Sequence, residues 1–308
     1  MIGGEKKPRL GYAGIGLMGE PMSLRLLQAG YALSVWNRTR AKLAKVVEAG
    51  AAEAATPADL ARDSDIVMMC LTDGKAVEHV VFGPEGIAKG GREGAILIDF
   101  SSMDPDATRG FARRLREEAG MGWIDAPVSG GPPGAAAGTL AIMCGGEAAD
   151  VERARPVVAH VGQRFTHMGP SGAGQTTKLC NQIISACQLA AIAEAVRLAE
   201  GAGVDAARLP EALKGGFADS IPLQLFAPRM AARSFEPPIG HVHTLLKDLD
   251  KAGTEARKVG APGPMASAAR ELLRQMQARG LNEACATSLI RLYDGPDKNG
   301  TGNTQGSE

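Results

Sequence analysis

The feature that most restricts this chain is the regular alternation of short apolar runs with helical segments over its first half. Runs at residues 9–13, 32–36, 66–71, 95–100, 123–128, 139–144 and 164–168 read as strands. Helical periodicity fills 21–28, 40–49, 72–82 and 104–118 between them. A strand followed by a helical crossover and another strand gives a parallel pair. The pattern predicts a doubly wound, mostly parallel α/β sheet.

After residue 168 the pattern changes. Residues 175–200 keep helical periodicity, with many alanines and no proline, over a length beyond that of an average globular helix. From residue 201 onward no run reads as a strand, and loops are expected at Pro222, Pro237-Pro238 and 262–264. The expected organisation is an α/β domain over 1–168, an interdomain helix over 169–201, an all-α domain over 202–294 and a flexible tail over 295–308.

A chain of 308 residues has room for two such cores. Its formal net charge of zero gives no electrostatic reason to expect a nucleic-acid or membrane-surface partner. Aromatics at 4% beside 40 glycines favour closely packed α/β layers over an aromatic-rich β-sandwich. Five scattered cysteines without a CxxC pair read as reduced core residues of a cytoplasmic protein. His241 and His243 alternate without a third ligand nearby, so no metal is expected. The N-terminus carries no apolar stretch that reads as a signal peptide or transmembrane helix.

Gly14-Ile15-Gly16-Leu17-Met18-Gly19 places GxGxxG directly after the first strand and at the mouth of a helix. There the first glycine makes the turn, the second admits a pyrophosphate and the third lets helix and strand pack closely. The helix N-terminus then faces the pyrophosphate. A purely structural turn is the alternative. The second strand ends in Asn37-Arg38-Thr39, where an acidic residue would favour NAD. Asn37 has no charge to repel a ribose phosphate, Arg38 can fork onto it and Thr39 can donate to it. NADP(H) is therefore the preferred cofactor, with NAD(H) possible; a solvated arginine at a helix start is the other reading. Leu71-Thr72 and Ser101-Ser102 end two further strands at the carboxyl edge, where ligands bind in this architecture. The serines could face nicotinamide and substrate, or cap the next helix.

Ser129-Gly130-Gly131 follows an apolar run and precedes two prolines. Glycines allow successive backbone N–H groups to point into one concavity, which with the serine hydroxyl suits a small carboxylate or phosphate. A tight turn is the plainer alternative. Lys178, Asn181 and Gln182 lie three and four residues apart near the start of the long helix, so they share a face. The helix dipole disfavours a cation there, which suits a lysine that must exchange a proton near neutrality. By itself Lys178 would read as an ordinary surface lysine; the dinucleotide site and anion nest in the same chain favour the chemical role.

Four motifs in order resemble the β-hydroxyacid dehydrogenase family: GIGLMG at 14–19, DAPVSGG at 125–131, GAGQTTKLCNQ at 172–182 and LLKDLDKA at 245–252. The likeness runs from about residue 9 to residue 293. It implies a Rossmann domain joined by a long helix to an all-α domain, and reversible hydride transfer between NAD(P) and a small hydroxy acid or its oxo or semialdehyde form. The family includes 3-hydroxyisobutyrate dehydrogenases and 2-hydroxy-3-oxopropionate reductases. The resemblance further implies that Lys178 is the general acid/base and that Asn181 holds the substrate near it. Ser129, Gly130 and Gly131 would bind the substrate carboxylate, and Ser102 would sit by nicotinamide and substrate. Lys247 would contact the cofactor with Asp248 supporting it. Homodimers or homotetramers through the helical domain are implied as well.

Two departures bear on the substrate. Many relatives carry Asn-Asn where this chain has Asn181-Gln182, and His241 stands where the reductases have an arginine. An imine-reductase-like relative is the enzymatic alternative, which Lys178 argues against. A phosphogluconate dehydrogenase would need a larger helical domain. A non-catalytic dinucleotide-binding module is the alternative of another class, in which the lysine is lost.

Overall fold

The computed structural model describes residues 7–294, and the expected tail at 295–308 lies outside the described residues. The chain divides into two compact units, one ending at Lys178 and one starting at Leu179. The first runs β1 (Leu10–Ala13), α1 (Gly19–Gln28), β2 (Leu33–Trp36), α2 (Ala44–Glu48), β3 (Ala52–Glu53), α3 (Pro57–Arg62) and β4 (Ile66–Met69). There follow α4 (Gly74–Phe82), α5 (Ile87–Gly90), β5 (Ile96–Asp99), α6 (Pro105–Ala119), β6 (Gly122–Asp125) and β7 (Val128–Ser129). Then come α7 (Gly131–Ala137), β8 (Leu140–Gly145), α8 (Ala148–Val158), β9 (Gly162–Gly169) and the start of α9 (Ala173–Gly201).

Among the described residues, nine strands form one sheet in the order β3-β2-β1-β4-β5-β6-β8-β7, with β9 paired to β8. Strands β1 to β6 are mutually parallel. The chain leaves β1 for β2 on one side and reaches β4 on the other, so β1 lies at the reversal where such sheets bind ligands. Alternate residues of β1, β4, β5 and β6 enter separate cores. Leu10, Tyr12, Met68, Ile98 and Ile124 pack with α1 and α8 through Met22, Leu26, Val151 and Val158. Ala13, Val67, Met69, Leu97 and Trp123 pack with α3, α4 and α6 through Leu60, Val77, Val81 and Leu115. Burial on both faces explains the unbroken apolar runs.

The expected strand over 123–128 is two strands. β6 ends at Asp125; β7 then runs antiparallel to β8, pairing Val128 with Ile142. Pro127 lacks the N–H a central strand needs, so the ladder breaks there. α7 was not expected, because Gly131-Pro132-Pro133-Gly134 reads as a turn; prolines in a first turn displace no helical hydrogen bond.

The second unit is all helix among its described residues, apart from an isolated bridge between His241 and Cys285. α9 continues into α10 (Leu209–Leu213), α11 (Ile221–Ala231), α12 (Val242–Lys258) and α13 (Pro264–Ala278). Its core takes Ala186, Leu189, Ile192, Ala193 and Val196 from α9 at helical spacing, with Leu223, Met230, Leu246, Leu249, Leu273 and Met276 from the others. By length and composition α9 could cross a membrane, yet this stripe is packed in a core. Pro222 and Pro264 open α11 and α13 instead of forming loops, again as first-turn prolines. Cys180 corrects the expectation that all the cysteines are core residues: it is exposed, while Cys144 and Cys285 are buried. Leu179 takes the inward position beside it.

Candidate functional site

The three glycines after β1 differ in what surrounds them. Gly14 has φ +94°, and a Cβ there would lie 2.5 Å from the Cys70 carbonyl. A Cβ on Gly19 would lie 2.1 Å from the Gly14 carbonyl, so the start of α1 sits directly on the turn. A Cβ on Gly16 would meet nothing within 4 Å. The chain thus has crowding reasons for glycine at both ends of the motif and none at its middle, where a ligand backbone must approach. Ile15 is buried, Leu17 is 83% exposed and Met18 is half-buried. The Ile15 N–H donates to Asn37 Oδ1 at 3.0 Å, and Asn37 Nδ2 donates to the Thr39 carbonyl at 2.8 Å. Asn37 therefore clamps the glycine loop to the end of β2. Beside it Trp36, Asn37, Arg38, Glu53 and Ala54 line a cavity of about 540 Å³. Glu53 is taken up by Arg40, and Arg38 is exposed at the rim. These residues give the cavity a polar rim at the end of β2, beside the glycine loop.

At the carboxyl ends of β4 and β5, Ser101 is buried and its Oγ accepts the Leu71 N–H at 2.9 Å. Neither serine caps a helix. Asp104 caps α6, accepting from Asp106 and Ala107, and Asp73 caps α4 immediately after the exposed Thr72. Ser102 is half-buried.

Gly130 and Gly131 take φ +128° and +59°, backbone conformations that favour glycine, so the chain turns sharply after Ser129. Lys178 is half-buried, and its Nζ donates to the Val128 carbonyl at 2.9 Å. The ammonium is thereby held at the residue preceding Ser129. The start of α9 is fixed by Asp125, whose Oδ1 accepts the Gly172 N–H at 2.7 Å and Oδ2 the Gln175 N–H at 2.9 Å. Asp99 is its register partner on β5. Burial pushes the Asp99 carboxyl up to about 7, the Asp125 charge adding to the shift against the opposing Ser101 hydrogen bonds. Its Oδ2 is buried and has no hydrogen-bond partner. Burial also raises Asp125, opposed by the N–H groups it accepts.

In the second unit Asn181 Nδ2 donates to Gln182 Oε1 at 2.9 Å, and Gln182 Nε2 donates to Asp248 Oδ2 at 2.7 Å. Buried Asp248 therefore orients Gln182, and through it Asn181. Lys247 is exposed on α12. His241 precedes α12 with Nδ1 2.8 Å from the Glu283 carbonyl. It lines a cavity of about 180 Å³ with Gln182, Ser185, Phe226 and Thr244.

Sequence reasoning did not single out Asp99, Asp125 or Gln175 for these roles. The signal available was their position at strand ends and inside two of the motifs.

Residues 9–169 match the model of the NAD binding domain of 6-phosphogluconate dehydrogenase. Residues 172–293 match that of the NAD-binding region of NADP-dependent 3-hydroxyisobutyrate dehydrogenase. The chain is 37% identical to 2-hydroxy-3-oxopropionate reductase of Escherichia coli, covering 93% of this chain and 97% of that one. It is 35% identical to a probable mitochondrial 3-hydroxyisobutyrate dehydrogenase-like protein of Arabidopsis thaliana, covering 94% and 89%. The Mycobacterium tuberculosis 3-hydroxyisobutyrate dehydrogenase structure with L-serine superposes with a TM-score of 0.85 at 28% identity, covering 94% and 100%.

Two outcomes follow from this geometry. Gly16→Ala should fold with an unchanged Tm and lose NADPH affinity, whereas Gly19→Ala should lower the Tm as well; thermal melts with and without NADPH distinguish them. The folded protein holds a proton on Asp99 between roughly pH 4 and 7 that the unfolded chain has released. Stability from this group is therefore fullest in acid and falls as pH rises through neutrality. Asp99→Asn should gain about 2–3 kcal/mol on the native protein between pH 5 and pH 8, measured by urea unfolding.

Proposed function

We propose that this chain, which belongs to the β-hydroxyacid dehydrogenase family, interconverts a short hydroxy acid and its semialdehyde or oxo form, with NADP(H) preferred over NAD(H). Membership makes it an NAD(P)-dependent oxidoreductase acting on the CH–OH group. The observation that carries the finer reading is the 2.9 Å contact of Lys178 Nζ with the Val128 carbonyl. It sets an ammonium beside the left-handed turn at Gly130 and Gly131.

In this reading the glycine loop of 14–19 and the residues Asn37, Arg38, Thr39, Leu71 and Thr72 hold the cofactor. When bound, the nicotinamide supplies or accepts the hydride. Ser129 Oγ and the N–H groups of Gly130 and Gly131 hold the substrate carboxylate, which fixes the distance from that anchor to the reacting carbon. Lys178 Nζ donates a proton to the carbonyl oxygen in reduction and removes one from the hydroxyl in oxidation. Asn181, oriented by Gln182, steadies the same oxygen. Ser102 and Lys247 complete the cofactor contacts. The substrate is a small monocarboxylate of the size handled by the 2-hydroxy-3-oxopropionate and 3-hydroxyisobutyrate enzymes.

Homodimer or homotetramer formation is supported by the outward face of α9, where Ile184 and Leu198 are exposed with Ala191 and Ala195 between them. The five unpaired cysteines favour the cytoplasm.

Lys178→Ala should lower kcat by roughly 10²–10⁴-fold while leaving the NADPH Kd nearly unchanged. The assay is substrate-dependent NADPH oxidation across a panel of short semialdehydes and glyoxylate; loss of NADPH binding in this variant, or no turnover of any of them by the native protein, defeats the reading. Arg38→Ala should lower the ratio of kcat/KM with NADPH to that with NADH by about 10- to 10²-fold, the worth of a charge-assisted hydrogen bond. An unchanged ratio overturns the NADP(H) preference.

A further inference from the structure

We infer that Gln175, acting together with Asp125, is a positioning residue for Lys178. Its buried amide locks the first turn of α9 to the end of β5, as the Asp125 carboxylate locks it to β6. This inference rests on the proposal that Lys178 carries the proton.

The Gln175 side chain makes two hydrogen bonds of opposite sense. Its Oε1 accepts the Met103 N–H at 2.9 Å, and its Nε2 donates to the Ser101 carbonyl at 2.7 Å. Its backbone N–H is one of the two bound by Asp125, a residue 50 positions earlier in the chain. The residue is 1% exposed, so no water replaces a lost partner. A neutral amide of this length supplies one donor and one acceptor together. An ionised carboxylate offers no donor, and an aliphatic side chain offers neither.

The backbone around this turn leaves no slack. A Cβ on Gly174 would lie 2.6 Å from both the Asp125 and Met143 carbonyls. One on Gly145 would lie 2.8 Å from the Ala173 nitrogen. The first turn of α9 is therefore seated against β6 and β8 by close backbone approach, while Gln175 sets its rotation against the 101–103 segment. Lys178 follows three residues later on the same helix. A rotation of that turn would carry Nζ away from Val128 and the Ser129 turn. Displacements on the order of 1 Å in a reacting group cost about 10²-fold in rate.

Gln175→Glu tests this directly. A protonated glutamate restores both bonds, with O–H to Ser101 and C=O from Met103, whereas the ionised form repels the Ser101 carbonyl. Burial raises the pH at which the carboxyl ionises. At about pH 8 the variant should show kcat about 10- to 10²-fold below the native enzyme. The ratio should recover by about 10-fold on going to about pH 6. KM for the carboxylate substrate should stay within about 3-fold, because Gln175 makes no hydrogen bond to Ser129, Gly130 or Gly131. Gln175→Leu, which cannot titrate, should show a reduced ratio that does not change with pH; where it fails to fold, the glutamate variant decides. In a Lys178→Ala background Gln175→Glu should cause no further loss.

A pH-independent ratio in Gln175→Glu, native kcat at pH 8, or an added loss in the Lys178→Ala background overturns the inference. Turnover retained by Lys178→Ala alone instead defeats the assignment of the proton carrier, and with it this inference. A flat ratio with Lys178→Ala inactive defeats only the positioning role.

Discussion

A buried carboxylate set against the open end of a 29-residue helix is the constraint on which the site depends. A helix of that length carries unpaired N–H groups and a partial positive charge at its start. Here both needs are met by Asp125, which reaches α9 from the end of β6 instead of from the residues preceding the helix. The bond therefore does more than cap: it joins a helix to a strand of the sheet. Two N–H donors, one on each oxygen, offset the desolvation of the carboxylate and make its burial tolerable. Asp99, in register on the neighbouring strand, is met by Ser101 alone and keeps an unpartnered second oxygen. Two carboxyls side by side in the same interior thus differ in ease of ionisation because only one of them faces a helix N-terminus.

The same economy of side chains appears in the glycine loop. Gly14 and Gly19 are glycine because other protein atoms occupy the space a Cβ would take, whereas Gly16 faces open space. The first pair explains how β1 and α1 pack; only the middle glycine has to be explained by something the chain does not itself contain. Asn37 then fixes the loop by bonding Ile15, which places the residue before Arg38 in a structural role and leaves the arginine at the cavity rim.

Much of this was legible in the residues. Apolar runs buried on both faces identify a parallel sheet because neither face tolerates a polar residue, and GxGxxG after such a run locates its ligand edge. Lys178 stands out in the sequence because a cation near a helix start runs against the dipole, and the motifs around it give that placement a reason. What escaped notice lacks a local signature. β7 is two residues long and exists only through its pairing with β8. α7 is hidden by prolines that read as a turn. The outward position of Cys180 depends on which stripe of α9 finds a core, and its apolar neighbours do not reveal that. Asp125 and Gln175 make contacts across about 50 to 74 positions of sequence, beyond the reach of any spacing rule.

Within the first unit, hydrogen bonds tie Lys178 to Val128, Asp125 to Gly172 and Gln175, and Gln175 to Ser101 and Met103. Those that orient Asn181, Gln182 and Asp248 close within the second. Residues of the second unit can thus change without removing these contacts of the first, since sites that share no partners vary nearly independently. His241 is where that freedom has chemical content. With Nδ1 committed to the Glu283 carbonyl, the neutral ring carries its proton on that nitrogen, which leaves Nε2 as an acceptor. An arginine at that position would offer only donors to a ligand, whereas this histidine can accept from a hydroxyl when neutral and donate when charged.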